Sequence, residues 1–362
     1  MSQFLKAFVC VSLLLVTACS RVSEDPVVEE AEKMATPEPP TAEEQALDLA
    51  LGRIGGEFPG KVGIAVHDLQ TGATVHYNGL DLYPQQSVSK LWVALTALEQ
   101  IDKGKLGLDD PVTIRSEDLT LFYQPIRDEV RRGGGAFTTT VADLMKRAIT
   151  DSDNTANDAL LRTVGGPDAV RAFLKRHDIA SIRFGPGERA MQSRIAGLEW
   201  RQSYAQARAF YDARDKLPDA VRAEAYEAYL ADPVDGAAPV ALAGALARVA
   251  RGEIVSQRSA NHLFDLLEQV KSGPNRLKGG APAGWTVGHK TGTGQEWGGE
   301  QSGYNDVALL TAPDGDRYAV AVMIARTPAP IPARMAMMHA VVGAVVEYDA
   351  ARDALASGEA QD

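Results

Sequence analysis

Residues 87–100 read SVSKLWVALTALEQ. Before this stretch the chain carries strand signals; within it the apolar residues fall at helical spacing. Lys61 to Leu69 (KVGIAVHDL) alternates and is rich in β-branched residues. Thr71-Gly72 marks a turn, and Ala73 to Tyr77 runs back as a hairpin partner. An opening helix fits 45–54. After residue 100, helical patterns follow at 141–150, 156–163, 167–176, 239–251 and 257–271. Strand patterns return at 285–289, 305–312 and 317–325, with Pro313-Asp314-Gly315 as a turn, and a closing helix fits 333–348. Strands at both ends and helices between imply an α+β fold. Its antiparallel sheet comes from the two chain ends, is flanked by helices, and has an all-helical region inserted. The crevice between those halves is the natural place for a site. No internal repeat is present.

The same stretch opens with Ser87-Val88-Ser89-Lys90, an S-x-x-K motif. Ser152-Asp153-Asn154 and Lys290-Thr291-Gly292 follow in that order. Each is common by chance; together, in this order, they resemble the motif set of serine acyl-transfer enzymes. Ser87 at a helix N-terminus has free N–H groups and the positive end of the helix dipole beside it. Lys90, three residues on, shares its face and can reach the Ser87 hydroxyl. A lysine desolvated beside other cations loses its proton readily enough to act as a base. The plainer reading makes Ser87 a helix cap and Lys90 a surface charge. The later motifs, at a helix–helix loop and a strand end, favour the catalytic one.

With 362 residues, 45% of them hydrophobic, the chain can build one large domain or two small ones. A net charge of -11 argues against nucleic acid as a partner. The six histidines (His67, His76, His177, His262, His289, His339) show no metal-ligand spacing. Gly133-Gly134-Gly135 reads as a flexible surface loop.

Lys6 and the apolar run 7–17 (AFVCVSLLLVT) form a targeting segment too short to span a bilayer comfortably. Val16-Thr17-Ala18-Cys19 resembles a bacterial lipobox, which would make 1–18 a lipoprotein signal peptide and Cys19 the lipidated first residue. The alternative is an ordinary signal peptide with a chance cysteine. Cys10, the other cysteine, lies in the removed part, so the mature chain would have no disulfide. Residues 19–43 are acidic and Pro-rich and read as a tether. Ser20 stands where an inner-membrane retention signal has Asp, which favours the outer membrane of a Gram-negative cell. The layout is thus a signal peptide (1–18), a tether (19–43), a catalytic domain (44–350) and a tail (351–362). The membrane is touched only through the lipid, and the tether fits a monomer.

QQSVSKLWVALTALEQIDKGKLGLDDPV (85–112), AITDSDNTANDALL (148–161) and VGHKTGTG (287–294) resemble the class A serine β-lactamase family. The resemblance covers roughly Ala46 to Tyr348 and is nearest the subgroup with His-Lys-Thr-Gly-Thr, here His289 to Thr293. It implies a β-lactamase/DD-peptidase-like fold and hydrolysis of a β-lactam with no cofactor and no metal. Ser87 would be acylated, with Lys90 as its partner, and Ser152 would pass a proton to the lactam nitrogen. Asn154 would hold the substrate's amide side chain, and Lys290 and Thr291 its carboxylate. The N–H groups of Ser87 and Thr293 would form the oxyanion hole, while Asp153 braces its loop. Tyr123 matches the aromatic wall of the cleft, or else packs in the core. Glu188, in Ser181–Gln192 (SIRFGPGERAMQ), falls where the family's water-activating Glu falls; otherwise it is an exposed loop glutamate.

The chain departs from the family in places. Gln192 replaces an Asn, and Gly185 the acidic residue that usually pins the loop. Asn305 stands where many members place an Arg; Arg276 is the expected substitute. Residues 193–236 exceed the family's usual length and read as one or two extra helices that widen the loop, cover the cleft or bind a partner. Two other functions remain open: a penicillin-binding-protein-like peptidase acting on cell-wall peptides, and a non-catalytic β-lactam sensor.

Overall fold

The computed structural model describes residues 39–358. The signal peptide (1–18), Cys19 and the tether through residue 38 lie outside the described residues. The opening helix is longer than expected, Ala42–Glu57. The Thr41 hydroxyl accepts the Glu44 N–H at 3.2 Å, and the Glu44 carboxylate accepts the Thr41 N–H at 3.0 Å. This reciprocal cap draws residues 42 and 43 out of the tether and into the fold. The T-x-x-E spacing was its signal.

The sheet is built from both chain ends. Its main strands lie in the order Thr74–Tyr77, Lys61–Asp68, Arg317–Thr327, Tyr304–Thr311, Thr286–Thr293, each antiparallel to its neighbours. A short hairpin, Glu296–Trp297 with Glu300–Ser302, joins at Arg326 and Thr327. Both faces are covered. Val62, Ile64, Val66, Val320, Val322 and Ile324 pack on Leu51 of the opening helix and Val341 and Val345 of the closing one. On the other face Ala65, Ala319, Ala321 and Met323 share a core with the helices Pro239–Ala250 and Gln257–Glu268. Burying each Val or Ile contributes about 1.5–3 kcal/mol. Coverage on both sides leaves Val62 to Val66 buried without a break, so polarity does not alternate there.

The helix Lys90–Asp102 is buried from Lys90 through Glu99 and forms the middle of the helical region. Among the described residues that region is mostly helical, interrupted by a ribbon of Pro111–Arg115 with Ala136–Thr140 and by Gly236–Ala237, which pairs with Tyr83–Pro84. Gly133 to Gly135, read from the sequence as a surface loop, form the C-terminal cap of a helix. The helix Ile126–Arg132 ends with Gly134 N–H on Arg131 C=O and Gly135 N–H on Val130 C=O, with Gly134 at φ +68. Those are the two bonds of a Schellman motif, whose left-handed position favours glycine.

The closing helix runs Ile331–Ser357, past the expected end at 348 and into the supposed tail. Arg352 explains the extension. Its guanidinium lies 3.2 Å from buried Asp68, 3.0 Å from Asp316 and 2.9 Å from the Tyr318 hydroxyl, tying the last turns to the sheet.

Candidate active site

Ser87 sits in the tight turn Gln86–Ser89 that leads into the central helix. Three elements hold this turn. Asn305 donates to Pro84 C=O at 2.7 Å and Gln85 C=O at 3.1 Å, and accepts the Ile324 N–H at 3.0 Å. Asn305 therefore clamps the turn to the sheet rather than facing the cleft. The Gln85 amide oxygen accepts the Trp92 indole N–H at 2.6 Å. Gln86 has φ +53, a left-handed conformation costly for a residue with a side chain. Its N–H donates to Asp235 Oδ2 at 2.7 Å, and its side-chain amide donates to the Tyr229 hydroxyl at 2.6 Å. Tyr229 in turn donates to Asp235 Oδ1 at 3.0 Å.

Lys90 is fully buried one turn beyond Ser87. Its ammonium donates to Ser152 C=O at 2.7 Å, Asn154 Oδ1 at 2.5 Å and Ser152 Oγ at 3.2 Å. Ser152 has φ +58 at the end of the π-turn Arg147–Asp151, which aims its hydroxyl back toward the lysine. Lys290, buried in the strand Thr286–Thr293, donates to the same Ser152 Oγ at 3.1 Å. One hydroxyl thus joins two buried ammonium groups. Burial pushes both lysines below their usual range; for Lys290 the charge of Lys90 pushes further. Asp153 caps the helix Asn154–Thr163 and accepts the N–H groups of Ala156 and Ile126, the bracing role expected of it.

Glu188 is 4% exposed, not a solvated loop residue, and its carboxylate lies 3.6 Å from Lys90 Nζ. It begins the helix Glu188–Ile195 after Gly187, whose φ of +98 makes the abrupt entry. Gln192 donates to Glu188 Oε2 at 3.4 Å and to Gln86 Oε1 at 2.8 Å, and Gln295 donates to Gln192 Oε1 at 3.1 Å. With no acid at Gly185, Arg171 pins the loop through backbone, donating to Phe184 C=O and Gly185 C=O.

Asp158 accepts the Glu188 N–H at 3.2 Å and is pushed up to about 6, by burial first and then by Glu188's charge. A folded value above the ordinary 3.8 means the native state holds the extra proton between roughly pH 4 and 6. Wild-type stability relative to Asp158→Asn is expected to fall across that window, by on the order of 2–3 kcal/mol, and stay down above it. Urea unfolding of both proteins from pH 4 to 7 checks this; parallel curves would refute it.

Ser87, Ser152, Asn154, Glu188, Thr291, Thr293 and Tyr123 all line one cavity of about 690 Å³. Tyr123 is 60% exposed on its wall, which settles wall against core. Arg276 is placed differently. It is buried behind the strand, against the Tyr304 ring at 3.7 Å, and bonds Gly292 C=O and Asn305 C=O. It reaches the cleft edge only through Thr293 Oγ1, at 2.5 Å.

Where one or two extra helices were expected, residues 193–236 contain two α-helices, Ala209–Arg214 and Asp219–Ala231. Phe210 packs edge-on against Phe122 at 5.2 Å. Tyr229 packs under Met191 and Ile195, and Tyr226 donates to Glu300 C=O at 2.9 Å. The segment runs from the Phe122 side of the cleft to the Glu296–Ser302 hairpin and walls the cavity between. Gln86, Gln295, Asp158, Tyr229 and Asp235 were not found from sequence. Only Asp158 had a local signal, at helical spacing from Asn154.

Two buried lysines that donate to one serine hydroxyl, behind a serine at a helix N-terminus and with a carboxylate at their side, are equipment for serine acyl transfer. The β-lactamase enzyme family model matches residues 46–348. β-Lactamase VEB-1 of Pseudomonas aeruginosa is 28% identical over 268 residues, 74% of this chain and 78% of that protein. The extended-spectrum β-lactamase PER-1 of the same organism is 27% identical over 325 residues, 90% and 89% of the two. The solved structure of an ancestral class A β-lactamase has 32% identity and a TM-score of 0.64, covering 83% of this chain and 99% of its own. The chain belongs to the β-lactamase enzyme family, in its class A serine branch, and is a hydrolase.

Proposed function

We propose that the chain opens β-lactams through an acyl-Ser87 intermediate that Glu188 clears. Ser87 Oγ attacks the lactam carbonyl and gives its proton to Lys90, which burial keeps below the lysine range. The N–H groups of Ser87 and Thr293 hold the oxyanion. The C–N bond breaks as the proton passes from Lys90 through Ser152 to the lactam nitrogen; Lys290, on the same hydroxyl, favours this relay. Asn154 holds the acylamide, and Tyr123 walls it. Lys290, Thr291 and Thr293 hold the substrate carboxylate, with Arg276 charging that end through Thr293. Glu188 then takes a proton from water as the water oxygen attacks the ester; the C–O bond to Ser87 breaks, and that proton passes on to Ser87 Oγ, restoring both groups.

The observation that carries this reading is a Glu188 carboxylate shielded from solvent, beside Lys90, in the cavity that holds Ser87. Hydrolysis of a chromogenic cephalosporin by the full chain tests it. Turnover lost in Ser87→Ala supports it. One-to-one labelling of wild-type Ser87 by a penicillin, with release over hours, would return the chain to the peptidase or sensor readings.

The N-terminal assignment is part of the proposal: a lipidated Cys19, an acidic tether, and a monomeric enzyme in the periplasm held to the outer membrane. Cys19→Ser is expected to move activity from the membrane fraction to the soluble one. Unchanged fractionation would exclude the lipid anchor.

A further inference from the structure

The segment 193–236 brings two arginines to the rim of the Ser87 cavity, Arg214 and Arg222. Arg214 is engaged: its guanidinium lies 3.0 Å from Asp215 and 5.2 Å from the Tyr211 ring centre. Arg222 differs. It lies over the Trp297 ring, 4.2 Å from the ring centre. Among the described residues its side chain takes part in no hydrogen bond and no ion pair. Glu296 also lines this end of the cavity, is exposed, and lies within 4 Å of neither guanidinium among the described residues.

A guanidinium held over an indole ring, with no hydrogen bond or ion pair of its own among the described residues, has its donors free for a ligand. Its natural complement is a planar or tetrahedral oxyanion bound by two parallel hydrogen bonds. In the proposed reading Asn154 grips the acylamide, and Gln192, Gln295 and Arg222 line the same cavity. Arg222 shares an adjoining hollow with Gln295, Glu296 and Trp297, a group distinct from Lys290, Thr291 and Thr293, which hold the ring carboxylate.

We propose that Arg222 is a specificity residue for β-lactams that carry an anion, carboxylate or sulfonate, on the acylamino side chain. The proposal rests on the β-lactam reading above. Its test compares kcat/KM for benzylpenicillin and α-carboxybenzylpenicillin, which differ by one carboxylate. Arg222→Leu is expected to lower kcat/KM for the carboxy compound about tenfold, mainly through KM. Benzylpenicillin should stay within about twofold, which also reports intact folding. Arg222→Lys, keeping the charge but not the fork, should fall between, and Glu296→Gln should favour the carboxy compound. Equal losses on both penicillins, or no loss on either, would overturn the role of Arg222. A wild type that turns over neither penicillin would instead overturn the β-lactam reading beneath it, and this proposal with it.

Discussion

Glu188→Ala is expected to stop turnover at the acyl-enzyme. The carboxylate lies 3.6 Å from Lys90, bonds Gln192 and faces the cavity of Ser87. Removing it takes away the group that withdraws a proton from the attacking water. It leaves Ser87, Lys90, Ser152 and Lys290, the groups that form the ester. Acylation should therefore slow modestly while deacylation falls about 10³-fold or more. Mass spectrometry after seconds with a penicillin should show the whole protein heavier by one adduct, against none for wild type. Lys90 loses its carboxylate but keeps Ser152 C=O and Asn154 Oδ1, so the fold should hold. Rapid turnover by this variant would remove Glu188 from its role.

Lys90→Met is expected to cost more, on two axes. Chemically it removes the proton acceptor of Ser87 and one end of the Ser152 relay, and acylation should slow about 10³-fold or more. No adduct should accumulate, in contrast to Glu188→Ala. Structurally it leaves Glu188 as a buried charge without its cation, and strips donors from Ser152 C=O and Asn154 Oδ1. Breaking a buried pair in this way costs about 3–5 kcal/mol, visible as a lower urea midpoint. In wild type, burial holds Lys90 below the lysine value of 10.5, so acylation should rise with pH through a limb below that point. That limb should vanish in Lys90→Met. A variant that acylates at the wild-type rate would hand the base role to another group.

The site was legible where its chemistry is written in short motifs. Ser87, Lys90, Ser152, Asn154 and Lys290 stand in fixed local patterns, and each of those patterns needs only one turn or one strand end to form. Glu188 was reachable by its place after Ser152. Tyr229 and Asp235 were not, because their meaning is tertiary. Nothing in AEAYEAYLADPVDG (223–236) says that one tyrosine will meet Gln86, more than 140 positions away. The ribbon Pro111–Arg115 with Ala136–Thr140 escaped for a related reason: its strands are short and a helix lies between them, so no hairpin turn announces it. The sheet was readable because β-branched runs at both ends can only pair with each other. The ends of the outer helices were less so. The last turns of the closing helix are held by Arg352 on Asp68, a contact no local propensity encodes.

Tyr229 lies in the extra segment, yet it bonds the residue next to the nucleophile, and that residue bonds Gln192 beside Glu188. The segment is consequently not a detachable module. Grafted onto a relative that lacks glutamine at these two places, it would bring a buried tyrosine hydroxyl that keeps Asp235 as its acceptor but loses the amide that donates to it. Excised from this chain, it would leave Gln86 in a costly backbone conformation with two partners fewer, Tyr229 and Asp235. Gain or loss of the segment over time would have had to travel together with positions 86 and 192, so the three should be inherited as a set.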